Sequence, residues 1–328
     1  MRLGQNPAKS IDHLAQPQKI TVSVVTYIPF LSGYYTESLD VLQECLNSIW
    51  NNTDLPYDLL VFDNASCSEV RSFLTGAHEQ GRIQYLVLAD KNIGKGGAWN
   101  FIFGAAPGEI IAYADSDIYF FPGWLSALVN VLEAFPNAGM VTGVPLWSPE
   151  EYSTSTVQWA SENPEARLER GQLLSWEDYW RHSRSLGTEE EKARAHFVSR
   201  QDICLFYQGQ KYYVGAGHFQ FIGRRSVLQS VLPIPSQRPM GQVRRLDSAL
   251  NAKGYLRLST PEWWAQHLGN TLQSVDQPIS KSSSSTIAQK SPARSNQLWA
   301  WKRRLLRNSG RRFLLWVYDK TFNILYRS

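Results

Sequence analysis

From residue 20 to residue 145 the apolar positions alternate between two rhythms. Ile20–Thr26 (ITVSVVT) is a β-branched run of the kind that lies buried on both faces of a parallel sheet. Leu39, Leu42, Leu46 and Ile49 then recur at helical spacing. The alternation repeats: an apolar run at 57–63 ending in an acid, a short helical pattern at 70–78, a run at 83–88, a helix entered from a glycine-rich loop at 96–105, and a run at 109–114 that stops at Asp115. Pro122, ahead of Gly123 and Trp124, opens another helical pattern at a position where the missing proline N–H costs nothing. A fifth run fills 139–144. Strand and helix in alternation predict an α/β fold with a doubly wound, mostly parallel sheet. Ligands of such sheets gather at the carboxyl ends of the strands, where Thr26, Asp63 and Asp115 all fall.

The pattern changes at 147. Residues 147–212 are rich in Trp, Glu, Arg and Ser, with a charged helical stretch at 187–197. Strand character returns at 212–222, a helix at 246–253 is closed by Gly254, a strand follows at 255–258, and 262–268 forms a last ordered segment. Residues 272–297 are Ser-, Gln-, Lys- and Pro-rich, a composition that cannot bury a core and reads as a linker. The chain therefore divides into a polar segment (1–19), a domain (20–271, with halves meeting at 145/146), a linker (272–297) and a tail (298–328).

Charge sharpens that division. The chain carries a formal +4, yet residues 292–328 hold nine Lys or Arg against one acid, Asp319. The excess positive charge is a property of the tail. Two tail segments, 299–307 and 311–326, interleave Lys and Arg with Trp, Phe, Leu and Tyr, which suits a helix lying in an anionic membrane interface. The apolar run at 313–318 is too short to span a bilayer. Packing on the domain or on a second subunit is the competing expectation; the clustered aromatics disfavour nucleic acid. Residues 1–19 lack the apolar run of a secretory signal, and three widely spaced cysteines suit a reducing compartment. Both point to a cytoplasmic protein, peripheral at the inner face of the membrane if the tail binds it.

The chemistry concentrates at Asp115-Ser116-Asp117. Two carboxylates one residue apart at the end of an apolar strand can hold a hard divalent cation, and such a cation can stabilise charge on a departing diphosphate. A polar turn after a strand is the plain alternative. Gly94, Gly96 and Gly97 let backbone approach a ligand, and the helix they open offers N–H groups to phosphate. Their spacing is not that of a Walker loop, nor of the glycine fingerprint after a first strand, so it does not argue for ATP or NAD.

Taken in order, these segments resemble the family 2 glycosyltransferases of the GT-A fold. The matching residues are Val24-Val25-Thr26-Tyr27, Asp63-Asn64-Ala65-Ser66, Asn92 through Asn100, Asp115-Ser116-Asp117, Gly215-Ala216-Gly217-His218-Phe219, Leu246 through Leu250 and His267-Leu268-Gly269-Asn270. The resemblance covers roughly residues 20–270 and implies an inverting, metal-dependent transfer of a sugar from a nucleotide-diphosphate donor, by default a UDP-sugar, to an acceptor hydroxyl. It implies Mn²⁺ or Mg²⁺ on Asp115, Asp117 and His267, with Asp115 also near the donor ribose. Thr26 and Asp63 would seat the base, and Asn92, Gly94 and Gly97 would line the donor loop. Gly217 and His218 would line the acceptor pocket, and Asp247 would be the catalytic base. Where the family carries an acidic pair, this chain has Leu246 and Asp247; where it often has an apolar residue, this chain has Lys95.

Each assignment has a structural alternative. Asp63 can make an Asx turn, Asp247 can serve the dipole of its helix, His267 and His218 can be packing residues, and Trp147, Trp159, Trp176 and Trp180 can be core rather than sugar platforms. The acceptor expected is a saccharide or lipid-linked sugar of surface-polysaccharide or glycolipid synthesis. Two other classes share the sheet: a nucleotidyltransferase, disfavoured because Ile28-Pro-Phe-Leu replaces a basic glycine loop after the first strand, and a non-catalytic nucleotide-sugar-binding protein.

Overall fold

A computed structural model of the chain describes residue 6 and residues 13–239 and 242–272. Residues 273–328 lie outside these, and with them the tail expected to bind a membrane and all but the first residue of the expected linker. The alternation expected for the first half is present: β1 (Ile20–Thr26), α1 (Ser38–Asn52), β2 (Asp58–Asp63), α2 (Ser68–Glu79), β3 (Tyr85–Leu88), α3 (Gly94–Ala105), β4 (Ile110–Asp115), β5 (Ile118–Phe120), α4 (Trp124–Ala134) and β6 (Ala138–Thr142). The second half adds α5 (Thr154–Glu162), β7 (Arg167–Gly171), α6 (Trp176–Ser185), α7 (Glu190–Ser199), β8 (Asp202–Tyr207), β9 (Gln210–Val214), β10 (Gln220–Arg224), α8 (Arg225–Gln229), α9 (Arg244–Ala252), β11 (Leu256–Ser259) and β12 (Ala265–His267).

Ten strands form one sheet in the order β3-β2-β1-β4-β10-β6-β11-β9-β8-β7, and β5 pairs with β12 in a small separate ribbon. β3, β2, β1 and β4 are parallel, with Thr26 opposite Asp63 and Val25 opposite Asp115. β10 enters antiparallel between β4 and β6, β11 lies parallel to β6, and β9, β8 and β7 complete a meander. Seven of the ten strands thus point the same way.

Alternation along each strand feeds two cores. Val22, Val24, Leu59, Val61, Ala112 and Ala114 face one side, where α1, α2 and α4 pack. Leu60, Phe62, Ile111 and Tyr113 face the other, against Trp99, Ile102 and Phe103 of α3 and Leu246 and Leu250 of α9. Burying both faces explains why these strands read as continuous apolar runs.

The single strand expected at 212–222 is two strands. Gly215 breaks it at φ +124, a conformation open to glycine, and the chain leaves β9 to re-enter the sheet elsewhere as β10. The hairpin of β8 and β9 turns on Gln208 and Gly209, both at positive φ, as a two-residue hairpin turn requires. The charged stretch at 187–197 is α7, and a further helix, α6, precedes it.

Candidate functional site

The carboxyl ends of β1, β2 and β4 meet on one edge as expected, and Asp115 and Asp117 sit there in different surroundings. Asp115 Oδ2 lies 2.6 Å from Lys95 Nζ, and its Oδ1 accepts a 2.5 Å hydrogen bond from the Tyr113 hydroxyl. Burial pushes the Asp115 carboxyl above its ordinary value, Lys95 opposes this, and the charge on Asp117 adds to it. Asp117 turns the other way. Its Oδ2 is 3.2 Å from His267 Nε2, because β12 pairs with β5 and sets His267 opposite Ile118. Burial raises the Asp117 carboxyl, but the charge and hydrogen bond of His267 outweigh it and leave it below the usual range. His267 responds in kind: burial lowers its imidazole, and Asp117 more than compensates, so it ends above its ordinary value.

The structure thus joins Asp117 to His267 and commits Asp115 to Lys95. Among the described residues, no three His, Cys, Asp or Glu side chains already surround a common point. The donor set nevertheless suits a hard cation in part. Two ligands about 2.1 Å from an octahedral ion and at right angles are about 3 Å apart, close to the Asp117–His267 separation. Asp117 Oδ1 and His267 Nδ1 are buried without a hydrogen-bond partner, the condition of atoms that a further ligand would satisfy.

Of the two expected base-binding residues, Asp63 is engaged by the protein itself and the Thr26 hydroxyl is not. Asp63 is fully buried, its oxygens accept from the Ser66 N–H at 3.1 and 3.3 Å, and Arg71 Nε stands 3.1 Å away. That is the Asx-type turn weighed against base binding. Thr26 is buried with its hydroxyl unpartnered. Asn92 Oδ1 accepts from the Gly94 N–H at 2.8 Å and from Asn64 Nδ2 at 3.0 Å, which clamps the loop to the end of β2.

The glycine loop differs from expectation. A Cβ on Gly94, which has φ +73, would meet Ser236 Oγ at 2.8 Å and Arg238 O at 2.9 Å; one on Gly96 would meet Pro235 O at 2.8 Å. Gly97 faces Ile93 of its own turn. The Lys95 N–H, expected to be open to phosphate, donates to Pro239 O at 3.1 Å. What approaches these glycines is therefore the chain's own segment 235–239, because a helix N-terminus with free N–H groups is satisfied by any nearby carbonyl.

Beside the Asp-Ser-Asp edge opens a cleft of about 360 Å³, lined by Trp147, Tyr179, His182, His218, Phe219 and Arg244 among others. Phe219 connects the two places: its carbonyl accepts from the Asp115 N–H at 2.8 Å, and its ring lies 4.9 Å from that of His182 and 6.1 Å from that of His267. Gly217 also lines the cleft; its N–H donates to Thr142 Oγ1 at 2.8 Å, and any Cβ would strike the Phe219 ring. Of the four tryptophans, Trp147 faces the cleft, Trp159 packs on Phe135 and Tyr207, and Trp176 stacks on Trp180.

Asp247 lies in the first turn of α9 and is fully buried. Its Oδ1 is 2.8 Å from Arg257 Nη2, its Oδ2 is 2.6 Å from His218 Nε2, and Arg244 Nη1 stands off at 3.7 Å. The two arginine contacts are ion pairs and the His218 contact is a close approach to a neutral ring, all off the line of straight hydrogen bonds. Arg257 is itself fully buried; it donates to Ala216 O at 2.6 Å, Tyr152 O at 2.9 Å and Ser153 Oγ at 3.2 Å. Burial pushes its guanidinium down to about 10, against the pull of Asp247, so it stays charged at neutral pH. Burial also lowers His218, more than Asp247 raises it. Arg257 and Tyr113 escaped the sequence reading. Arg257 sits in an ordinary-looking strand, Leu-Arg-Leu-Ser; Tyr113 sits two positions before Asp115, on the same strand face, which is the one available signal.

Comparison with known proteins places this edge and cleft in context. The sequence pattern of the family described as Glycosyl transferase family 2 matches residues 33–200. The chain belongs to glycosyl transferase family 2. A curated relative, an uncharacterised glycosyltransferase of Nostoc sp., is 29% identical over 100 residues. That stretch is 30% of this chain and 31% of the relative, so the chain matches about a third of the relative's length. Among solved structures, S. aureus TarS 1–349 aligns at TM-score 0.42 and 15% identity, over 74% of this chain and 60% of that one. The mannosyltransferase PcManGT of Pyrobaculum calidifontis, in complex with GDP-Man and Mn²⁺, aligns at TM-score 0.43 and 18% identity, over 75% and 55%. Likeness at that level is too slight to carry a ligand or a residue role across.

Proposed function

We propose that this chain transfers a sugar from a nucleotide-diphosphate donor, by default a UDP-sugar, to an acceptor hydroxyl with inversion at the anomeric carbon. The observation that carries this reading is the adjacency of the two places joined by Phe219: a carboxylate edge at the strand ends, and an aromatic-walled cleft ending on His218 above Asp247. Membership of the family supports it.

Asp117 and His267 are the residues to hold Mn²⁺ or Mg²⁺, with Asp115 beside them. Bound there, the ion would supply positive charge to the departing diphosphate. Lys95 already places an ammonium on the same edge. Thr26, Asp63, Asn92, Gly94 and Gly97 frame the base and ribose side of the site; Asp63 and Asn92 do so through the turn and clamp they maintain. Trp147 and Phe219 present apolar ring faces to an acceptor sugar. Asp247 supplies the negative charge that drives removal of the acceptor proton.

The acceptor of this reading is a saccharide or lipid-linked sugar in surface-polysaccharide or glycolipid synthesis, met at a membrane surface by the basic tail. The tail's composition supports that step. Among the described residues no helix is long and apolar enough to cross a membrane.

The test is thermal stabilisation by UDP, GDP and dTDP, each with Mn²⁺ and with EDTA, followed by release of nucleoside diphosphate from the matching nucleotide sugar. A ligand that binds only the folded state raises Tm by mass action. One nucleotide should do so, with EDTA and Asp117→Ala each abolishing the shift. No shift with any nucleotide would refute the reading.

A further inference from the structure

Asp247 does not open onto the cleft in this structure. A base must come within about 2.6–3.2 Å of the oxygen it deprotonates, and Asp247 has no exposed surface. Arg257 covers one of its oxygens and His218 the other. His218 is the member of this group that faces the cleft: it is among the cleft's lining residues, and 16% of its side chain is exposed. Its Nε2 is the buried nitrogen, turned to Asp247. A carboxylate at Nε2 keeps the proton of the neutral ring on that nitrogen and leaves the lone pair on Nδ1, toward the cleft.

The scaffold fixes this arrangement from behind. Arg257 holds Asp247 and also donates to the carbonyl of Ala216, two residues before His218. The Gly217 N–H is tied to Thr142. The Trp99 ring lies 6.1 Å from the imidazole, tilted against it. One buried guanidinium therefore positions both the carboxylate and the backbone that carries the imidazole.

We propose that His218 is the catalytic base: its Nδ1 takes the acceptor proton, and Asp247 is a positioning residue that never touches substrate. The inference rests on the transferase reading above. In the step, the acceptor oxygen bonds to the anomeric carbon as the carbon–oxygen bond to the diphosphate breaks. The bonding pair leaves on the nucleoside diphosphate, and the hydroxyl proton moves to Nδ1. Asp247 balances the imidazolium so formed, and the proton returns to solvent through the cleft. The charged groups around His218 are Asp247 and Arg244 from α9, Arg257 from β11 and Lys95 from α3. Their sum with burial keeps the ring neutral, and so able to accept a proton, at pH 7.

The experiment is release of nucleoside diphosphate from UDP-glucose and GDP-mannose, with water as acceptor, across pH. It compares the full chain with His218→Ala, His218→Gln and Asp247→Asn, and each variant is first checked for its thermal shift with nucleotide. The expected result is that His218→Ala keeps the shift and loses about 10²–10⁴-fold in turnover. Added imidazole restores part of that loss, and Asp247→Asn moves the acid limb of the pH profile. His218→Gln, closer in volume, repeats the loss without rescue and serves if the alanine variant does not fold. Turnover of His218→Ala within about threefold of the parent, below the loss of a general base, overturns the assignment. So does a loss that imidazole leaves untouched. A parent protein that releases nothing from either donor and shows no nucleotide shift refutes the transferase reading instead.

Discussion

Replacing Arg257 with methionine should be among the most damaging single changes in this domain. The substitution nearly preserves volume but leaves Asp247 as a buried carboxylate facing only a neutral imidazole and a distant Arg244. Removing one partner of a buried ion pair costs about 3–5 kcal/mol. The carbonyls of Tyr152 and Ala216 also lose their donor. For a domain of this size about 4 kcal/mol corresponds to a fall in Tm of roughly 8–16 °C. Asp247→Leu should cost less, about 3 kcal/mol, because Arg257 keeps three other acceptors. The double variant contains no uncompensated charge, so its cost should fall short of the sum by a coupling energy of up to about 3 kcal/mol. Urea unfolding followed by tryptophan fluorescence measures all four corners of the cycle. Costs that simply add, within about 0.5 kcal/mol, would show that the pair is not one electrostatic unit and would remove the support for Arg257 as the organiser of His218.

Asp117→Asn and His267→Ala should each abolish the Mn²⁺-dependent part of the nucleotide thermal shift; a shift unchanged in both would place the cation elsewhere. Gly96→Ala forces a Cβ to 2.8 Å from Pro235 O, and such overpacking costs about 1–3 kcal/mol, read as a lower urea midpoint; an unchanged midpoint would mean that segment 235–239 yields freely. Acid should weaken the fold through His182, whose imidazole burial pushes down to about 3, helped by the charge of His267, from an ordinary 6.5. The unfolded chain takes up that proton first, so the stability of the neutral ring is complete above pH 6.5 and is lost as pH falls toward about 3. Urea midpoints of the parent should drop across this window more steeply than those of His182→Gln, and parallel curves would contradict it.

What was legible in the sequence follows from the range of the interactions involved. β1 through β4 and their helices announce themselves because each buries residues within its own few turns. The gathering of Thr26, Asp63 and Asp115 follows from parallel pairing alone. The meander of β7, β8 and β9 was hidden in a charged, tryptophan-rich stretch whose burial pattern depends on distant partners. The destination of β10, between β4 and β6, is set by pairings across 81 positions to β6 and more than a hundred to β4. Side-chain fates were hidden for the same reason. Lys95, standing where the family often has an apolar residue, pairs with Asp115; Gly94 and Gly96 of its loop meet segment 235–239 rather than open space; and Asp247, on a helix, is covered by an arginine from strand β11.

The insertion of β10 has a consequence for how such an enzyme can be taken apart. The expected split at 145/146 suggests two exchangeable pieces. In the sheet, however, the inner edge of β4 and the adjoining edge of β6 are both closed by a strand that the chain supplies only at residue 220. A fragment ending at 145 would carry two raw strand edges, which invite pairing with other chains. Grafting a foreign acceptor piece would therefore have to bring a strand that fits both neighbours at once. On the proposed reading, in which the cleft receives the acceptor, its preference is better altered at Leu146, Trp147 and the cleft-facing side of α6 than by exchanging halves.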